Sequence, residues 1–518
     1  MSPQAVHFSS SQRPLEARAS SARVLIAGLL VLALYSVPLF STMVPPLFDY
    51  PNHLARFAIL ATGGNEFYDV RWAPLPNLAG DLIVPLLARM MPIELAGKLF
   101  LVMIFALILG AAAWLNRVVG GRWRLWPLLA AAFLYNLQLR WGFLNYLFGL
   151  GIALCGSALW LALEDARFWL RLAASSFVAL LCFFSHISAF GIYTLIVAGV
   201  ELQPLIAECR AGKWRALRHR IGIAAAQFVI PIAIALMSWR PGIGGKIVYW
   251  EFSYKITWLF GIFYNYIPVV DFASFFLMLA LFGGLAARRR LNFAPRMVPA
   301  ILLIFAAYLI IPTEMLSAWA TDQRIIVAFF FLLVAAAAPN FPNRRIAWGV
   351  GAAALVIMLG RLGIVEAYWL EANRVYAADL AAIDALPLGS KLAVAHPKNA
   401  LNAAGFPEVH LPALASVRRA AFVPTLFTFT GQQPIALRPP YDRLAAAADR
   451  HELWAAFMSS DDAERGHALA ALAEYDAIVF VNHEPFELPS EECLRPLLLR
   501  PTFQIFTLVH GGDCPEPR

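Results

Sequence analysis

The sequence predicts a mainly α-helical, polytopic membrane protein with a C-terminal α/β domain, and three observations predict this class. The 518 residues are 60% hydrophobic and only 14% charged. Long apolar runs recur up to residue 364, and a mixed composition with frequent Pro and Gly follows. Soluble domains have roughly 45–50% apolar and about 25% charged residues. The composition therefore excludes a soluble enzyme, a disordered scaffold and a disulfide-rich secreted module.

Apolar runs of about 20 residues, the length that crosses a bilayer as helix, predict about eleven spans. They fall near residues 24–44, 95–116, 125–139, 143–163, 168–184, 187–205, 221–239, 268–287, 298–311, 325–338 and 346–364. The first run follows a polar start and lacks a clear small-residue cleavage site, so we expect a retained anchor after a 1–23 tail. The predicted transmembrane module is 24–364, with a long first external loop at 45–94.

The basic residues predict the orientation, because Lys and Arg concentrate in cytoplasmic loops. With a cytoplasmic N-terminus, alternate loops hold most of them: Arg117, Arg122, Arg124, Arg167, Arg171, Arg210, Lys213, Arg215, Arg218, Arg220, Arg288, Arg289, Arg290, Arg296, Arg344 and Arg345. The net charge of +8 is therefore explained by topology, and we expect no nucleic-acid partner. An odd number of spans leaves the C-terminal segment outside, in the periplasm of the expected bacterial inner membrane.

The C-terminal segment, 365–518, has the pattern of a folded domain. Residues 368–386 predict an amphipathic helix, ended by Pro and Gly. The Ala-rich stretch 442–473 also predicts helix. Short apolar runs at 392–395, 477–481 and 503–509 predict strands, since turn residues bound them. Together these elements predict an extracytoplasmic α/β domain.

Two cysteines, Cys493 and Cys514, lie in this predicted oxidising compartment. A disulfide between them is one outcome and two free thiols the other, because sequence does not fix the geometry that a disulfide needs.

The first external loop begins with the string Asp49-Tyr50-Pro51-Asn52-His53-Leu54-Ala55-Arg56. Pro51 suits the first position of a helix, so Asp49 would lie at its positive end. At helical spacing, Asp49, His53 and Arg56 can face one side. Such a set can accept a proton and bind a phosphate. The alternative is structural: Asp49 caps the helix and pairs with Arg56, while His53 faces water.

Further ionisable residues lie at predicted external span ends, where they are rare and tend to mark a site. Arg140 lies between two spans, just before Asn145; its alternative role is snorkelling to lipid headgroups. His186 lies at another turn, where a hydrogen bond between packed helices is the alternative. Asp322 and Arg324 begin a span, and a local ion pair is the alternative. Because these residues and the loop residues map to one membrane side, we expect them to meet in one vestibule.

The span pattern over 24–364, Asp49 in a long first external loop and the outward C-terminal domain together resemble the C-type (GT-C) superfamily of polytopic membrane glycosyltransferases. Members use a polyprenyl-phosphate-linked sugar donor, and an acidic residue of the first external loop acts as general base or metal ligand. Asp49 matches that residue. A paired acidic dipeptide of some members is absent, since Tyr50 follows Asp49. The resemblance thus leaves a divalent metal, Mg or Mn at Asp49, undecided.

Carried over to this chain, the resemblance implies an inverting glycosyltransferase embedded in the bilayer. Asp49 would be the base, with His53 as the second catalytic candidate. The donor phosphate would meet Arg56, Arg140, His186 and Arg324, with Asn145 and Asp322 as further candidates. The acceptor, a lipid, glycan or protein, is unidentified.

Two other classes remain as alternatives. A transporter or lipid flippase with an accessory external domain would place its polar residues along a path through the bilayer. An assembly or export subunit would use its spans only as an anchor. The sequence contains no P-loop, Rossmann fingerprint, CxxC pair or HExxH motif.

Overall fold

The computed structural model describes residues 12–238, 247–249, 252–315, 318–402, 406–429, 431–489, 491–511 and 514. Contacts divide the chain into two compact units. The first unit consists of Met1–Val37, Leu101–Leu139 and Leu144–Val365; the second consists of Pro38–Phe100, Arg140–Phe143 and Glu366–Arg518. The first external loop thus belongs to the same unit as the C-terminal segment. Residues 1–11 of the predicted tail lie outside the described part of the chain.

Within the described ranges, seven helices are long and apolar enough to cross a membrane: Ser21–Ser41 (part of helix Gln12–Ser41), Ile93–Gly120, Leu144–Ala162, Phe168–Ser185, Ile187–Arg210, Pro268–Ala287 and Arg344–Asp384. An eighth candidate is the pair Trp214–Ala226 and Val229–Ser238, which is bent by 41°. These helices identify an integral membrane protein and confirm the predicted fold class.

Three of the eleven predicted spans form shorter helices. They are the 3-10 helix Trp126–Phe133 and the α-helices Val298–Ile310 and Thr321–Ala336. The first is buried from Pro127 to Phe133, and the third is buried along most of its length. A short apolar run can be a buried core helix instead of a span, and the burial of the first and third helices agrees with that. Hydropathy alone does not separate these two environments.

The other elements of the first unit are short. They are helices Phe252–Leu259, Phe260–Ile262 and Pro295–Met297, and the antiparallel strand pair Leu291–Phe293 and Ala337–Pro339. Helix Leu137–Trp141 begins in this unit and ends in the second.

A four-stranded sheet forms the core of the C-terminal part of the second unit. Its order is Leu392–Ala395, Ala477–Val481, Phe503–Leu508 and Leu494–Leu499. The first pair is parallel and the other two pairs are antiparallel. The parallel strands are buried at every position, as expected for strands covered on both faces. The strand over 494–499 was absent from the sequence analysis, because its residues alternate poorly and include a proline.

The second unit also contains helices, which lie in the first external loop and in the C-terminal segment. They are Tyr50–Thr62, Ala79–Leu87, Lys398–Asn402, Pro407–Ala413, Leu414–Arg418, Tyr441–Ala447, Arg450–Met458 and Asp462–Ala471. The predicted 368–386 helix is the end of the 41-residue helix Arg344–Asp384 rather than a separate element. Strand Tyr68–Val70 pairs antiparallel with Ile435–Leu437, which ties the loop to the C-terminal segment.

A disulfide joins Cys493 to Cys514, with the Cα atoms 5.6 Å apart. It encloses the last two strands of the sheet.

Candidate functional site

Asp49 lies at the N-cap of helix Tyr50–Thr62, as Pro51 in the first turn predicts. The helix ends at Gly63, whose φ of 76° is the left-handed conformation common at helix C-termini. The side chain of Asp49 makes no capping hydrogen bond, and it is 16% exposed. The alternative interpretation, in which this carboxylate caps the helix, is therefore wrong.

The segment 140–143 holds the backbone of Asp49 in place. The N–H of Phe48 donates to the carbonyl of Arg140 at 2.8 Å, and that of Asp49 donates to the carbonyl of Trp141 at 3.1 Å. Gly142 has a φ of +84°, and a Cβ built on it would lie 2.9 Å from the Cβ of Asp49. Both the conformation and the close approach require glycine.

His53 and Arg56 also hold the 140–143 segment in place, through the carbonyl of Gly142. Arg56 donates from Nε to Asp81 Oδ1 at 2.5 Å and from Nη2 to His53 Nδ1 at 3.0 Å. Because His53 Nδ1 accepts, Nε2 carries the proton, and it donates to the carbonyl of Gly142 at 3.0 Å. Arg56 and Asp81 are fully buried. The chain of contacts therefore runs from a buried ion pair to the glycine that packs on Asp49.

This arrangement changes two expectations from the sequence. Arg56 pairs with Asp81 rather than with Asp49, and His53 is buried rather than facing water. Burial, and then the charge of Arg56, lower the pKa of His53 well below its ordinary value, so the ring is neutral. With both ring nitrogens in hydrogen bonds, His53 has no free lone pair with which to accept a proton.

His410, which the sequence analysis did not select, faces the carboxylate of Asp49. The backbone N–H of Phe427 donates to Asn52 Oδ1 at 3.2 Å, so the Asn52 amide nitrogen points at His410 Nδ1, 2.8 Å away. That contact leaves the proton on His410 Nε2, which lies 3.6 Å from Asp49 Oδ1. The rings of Phe48 and Phe427 pack edge-on against the imidazole. Burial lowers the pKa of His410 to about 3, so it too is neutral.

The residues that the sequence missed had little local signal. His410 is 361 positions from Asp49, and its 3-10 helix has no motif. Asp81 had one usable cue, since it is a carboxylate in the first turn of the apolar helix Ala79–Leu87. An acid at that position is buried only if it is paired.

The predicted residues Asn145, His186, Asp322 and Arg324 belong to the first unit. His186 caps the following helix, since its Nδ1 accepts the N–H of Ser188 at 3.0 Å. Its ring packs edge-on against Tyr146, whose hydroxyl donates to the carbonyl of Arg324 at 2.5 Å. The guanidinium of Arg324 donates to the carbonyl of Trp319 at 2.7 Å. His186 and Arg324 thus share Tyr146 as a common neighbour.

Asp322 does not form the expected local pair with Arg324. It pairs with Lys255 at 2.7 Å and accepts from Thr313 at 3.1 Å, and it is 1% exposed. Asn145 is buried. A single vestibule for the residues of both units stays a prediction.

Metal binding at Asp49 also stays a prediction. Over the described ranges, no group of three or more His, Cys, Asp or Glu side chains is placed to hold a metal ion.

The comparisons with known proteins bear on the fold. No protein-family model matches the chain, and no curated protein matches it in sequence. The crystal structure of ArnT from Cupriavidus metallidurans, bound to undecaprenyl phosphate, is similar, with a TM-score of 0.57. The alignment covers 96% of this chain and 100% of that one at 11% sequence identity. The chain shares the fold of that ArnT structure over almost its whole length. The architectural prediction is therefore confirmed.

Proposed function

We propose that the chain is a membrane glycosyltransferase that moves a sugar from a lipid-phosphate donor to an acceptor hydroxyl on the extracytoplasmic face, with Asp49 as general base. The observation that carries the proposal is the way in which Asp49 is held in the structure. Its backbone is fixed by the 140–143 segment, and its side chain faces the neutral imidazole of His410. A GT-C fold with such a carboxylate in its first loop is the arrangement expected of this reaction, and the similar ArnT structure holds undecaprenyl phosphate.

In the proposed step, a carboxylate oxygen of Asp49 takes the proton of the acceptor hydroxyl. The acceptor oxygen forms a bond to the anomeric carbon, and the bond from that carbon to the phosphate oxygen breaks. The lipid phosphate leaves with the bonding electron pair. A positioned general base contributes about 10²- to 10⁴-fold to such a rate.

We assign the predicted phosphate ligands differently after seeing their contacts. Arg140 and Arg324, with His186 as a further donor, stay candidates for the departing phosphate, because fixed cations stabilise the charge that develops there. Arg56 is fully buried against Asp81, so we assign it, with His53, to positioning the 140–143 segment.

The test compares Asp49→Asn with Asp69→Asn. Asp69 lies in the same loop but pairs at the surface with Arg438 at 2.5 Å, so its loss is the matched control. Each purified variant is mixed with polyprenyl-phosphate-linked pentose, hexose or amino sugar and with membranes from a host strain that lacks the chain. Release of free polyprenyl phosphate is measured.

We expect wild type and Asp69→Asn to release the lipid phosphate from one of these donors. Asp49→Asn should lose about 10²-fold or more in turnover with an unchanged Tm. Wild-type turnover in Asp49→Asn would remove the base assignment. No release by wild type from any donor, together with movement of labelled lipid across vesicles, would favour the flippase alternative.

A further inference from the structure

We infer that His410 is a positioning residue for the base: its Nε2–H orients the carboxylate of Asp49, so that the other oxygen is presented to the acceptor hydroxyl. This inference rests on the proposed function. His410 comes from the C-terminal segment and Asp49 from the first external loop, and both lie in the second unit.

The first step of the argument is that the proton position on His410 is fixed. The Phe427 N–H can only donate, so the atom of Asn52 that it contacts is the amide oxygen. The Asn52 amide nitrogen therefore donates to His410 Nδ1. A neutral imidazole that accepts at Nδ1 carries its proton at Nε2, the atom nearest to Asp49.

The second step is that the donor is neutral. The charged and titratable neighbours that act on His410 include His53, His396 and Arg450, besides Asp49 itself. A cation in its place would favour the ionised carboxylate and make Asp49 a weaker base. A neutral N–H orients the carboxylate with less loss of basicity, which suits a group that must accept a proton.

The third step concerns distance. The 3.6 Å between His410 Nε2 and Asp49 Oδ1 is beyond hydrogen-bond range, and closing it to about 3.0 Å takes a small rotation of the carboxylate. Hydrogen bonds at catalytic sites are often long without substrate and tighten in the complex. Packing by Phe48 and Phe427 holds the imidazole, so the carboxylate is the partner that moves.

The two ring nitrogens allow a test that separates positioning from structure. Glutamine places its amide nitrogen near the position of Nε2, whereas asparagine places its amide near that of Nδ1. His410→Gln therefore keeps a donor toward Asp49 and loses the acceptor for Asn52. His410→Asn keeps a partner for Asn52 and loses the donor toward Asp49.

The assay uses the sugar donor that the test of the proposed function identifies. With that sugar donor, we expect His410→Gln to keep kcat within about fivefold of wild type. His410→Asn should lower kcat by about 10- to 100-fold with little change in KM, because a misplaced catalytic group costs that much. A purely structural role predicts the reverse order. Equal activity of His410→Asn and wild type, or higher activity in His410→Asn than in His410→Gln, would overturn the inference.

Two further variants keep the result interpretable. Asn52→Ala leaves His410 in place but removes the contact that fixes its proton, so kcat should fall; an unchanged kcat would overturn the role of the fixed tautomer. In an Asp49→Asn background, His410→Asn should cause no further loss, because the two residues act together. Should Asp49→Asn alone keep full turnover, the base assignment in the proposed function fails. If His410→Asn keeps the wild-type kcat while Asp49→Asn is inactive, only the inference about His410 is wrong, and the proposed function stands.

Discussion

Two buried polar clusters, one in each unit, differ in how their hydrogen bonds are used. In the first unit, Glu201 is 1% exposed and accepts from Trp160 and Arg220, both at 2.8 Å. Arg171 and Arg296 each lie 3.4 Å from the same carboxylate. In this cluster, side-chain charges of opposite sign pair with one another across several helices.

The cluster of the second unit is organised around the backbone. Its ion pair, Arg56 with Asp81, leads through His53 to the carbonyl of Gly142, and that segment holds Asp49. A cluster in which charges pair mainly with one another stabilises the fold. A cluster whose contacts lead to the backbone of Asp49 would, under the proposed function, position that residue for catalysis. The comparison thus predicts which substitutions affect stability alone and which also affect turnover.

The largest expected effect comes from removing one partner of each buried pair. Asp81→Asn leaves Arg56 without its counter-ion. Glu201→Gln does the same for Arg171, whereas Arg220 and Arg296 keep Glu164 as a partner. Breaking a buried pair costs about 3–5 kcal/mol, so both variants should lower the free energy of unfolding by that order. Thermal unfolding of the purified proteins measures this.

The same two variants should differ in turnover per folded molecule. Asp81→Asn should reduce it, because Arg56 loses the carboxylate that holds its guanidinium against His53 Nδ1. Glu201→Gln should keep it near the wild-type value. Equal turnover in the two variants would show that the clusters do not differ in the way described here.

The fold was predictable from sequence because its signals are additive. Apolar runs and basic loops accumulate over hundreds of residues, and the predicted class is correct although three of the predicted spans form shorter helices. The position of Asp49 at a helix start was predictable because Pro51 suits the first turn of that helix.

The partners of the site were less accessible to sequence. Asn52, His410 and Phe427 meet through tertiary packing, and no spacing rule relates residues more than 350 positions apart. The roles of His53 and Arg56 were also inaccessible, because they depend on Asp81, whose burial sequence alone could not establish.

A smaller effect is expected from Gly142→Ala, with Gly63→Ala as its control. Both glycines have positive φ, +84° and +76°, so alanine strains the backbone by a similar amount. Only the Cβ at 142 would meet Asp49; nothing lies within 4 Å of one at 63. Displacing the base should lower kcat by about 10- to 100-fold in Gly142→Ala alone. If the two variants had equal kcat and equal Tm, the contact with Asp49 would have no role.

The smallest effect is the pH dependence of stability, which is expected to differ between the two units. Burial lowers the pKa of His410 to about 3 and that of His396 to about 4, whereas the unfolded chain titrates near 6.5. Between pH 6.5 and 5 the unfolded state therefore binds more protons, and the stability of the second unit falls as pH falls.

Each such histidine contributes at most about 1.4 kcal/mol per pH unit to the slope of the free energy of unfolding. Replacing His396 with Gln should reduce the slope of the free energy of unfolding against pH by up to that amount. The Tm of the second unit, measured between pH 6.5 and 5, reports this change. An unchanged slope would mean that His396 is protonated in the folded protein. Glu201→Gln should leave the slope in the second unit as it is, because Glu201 belongs to the first unit.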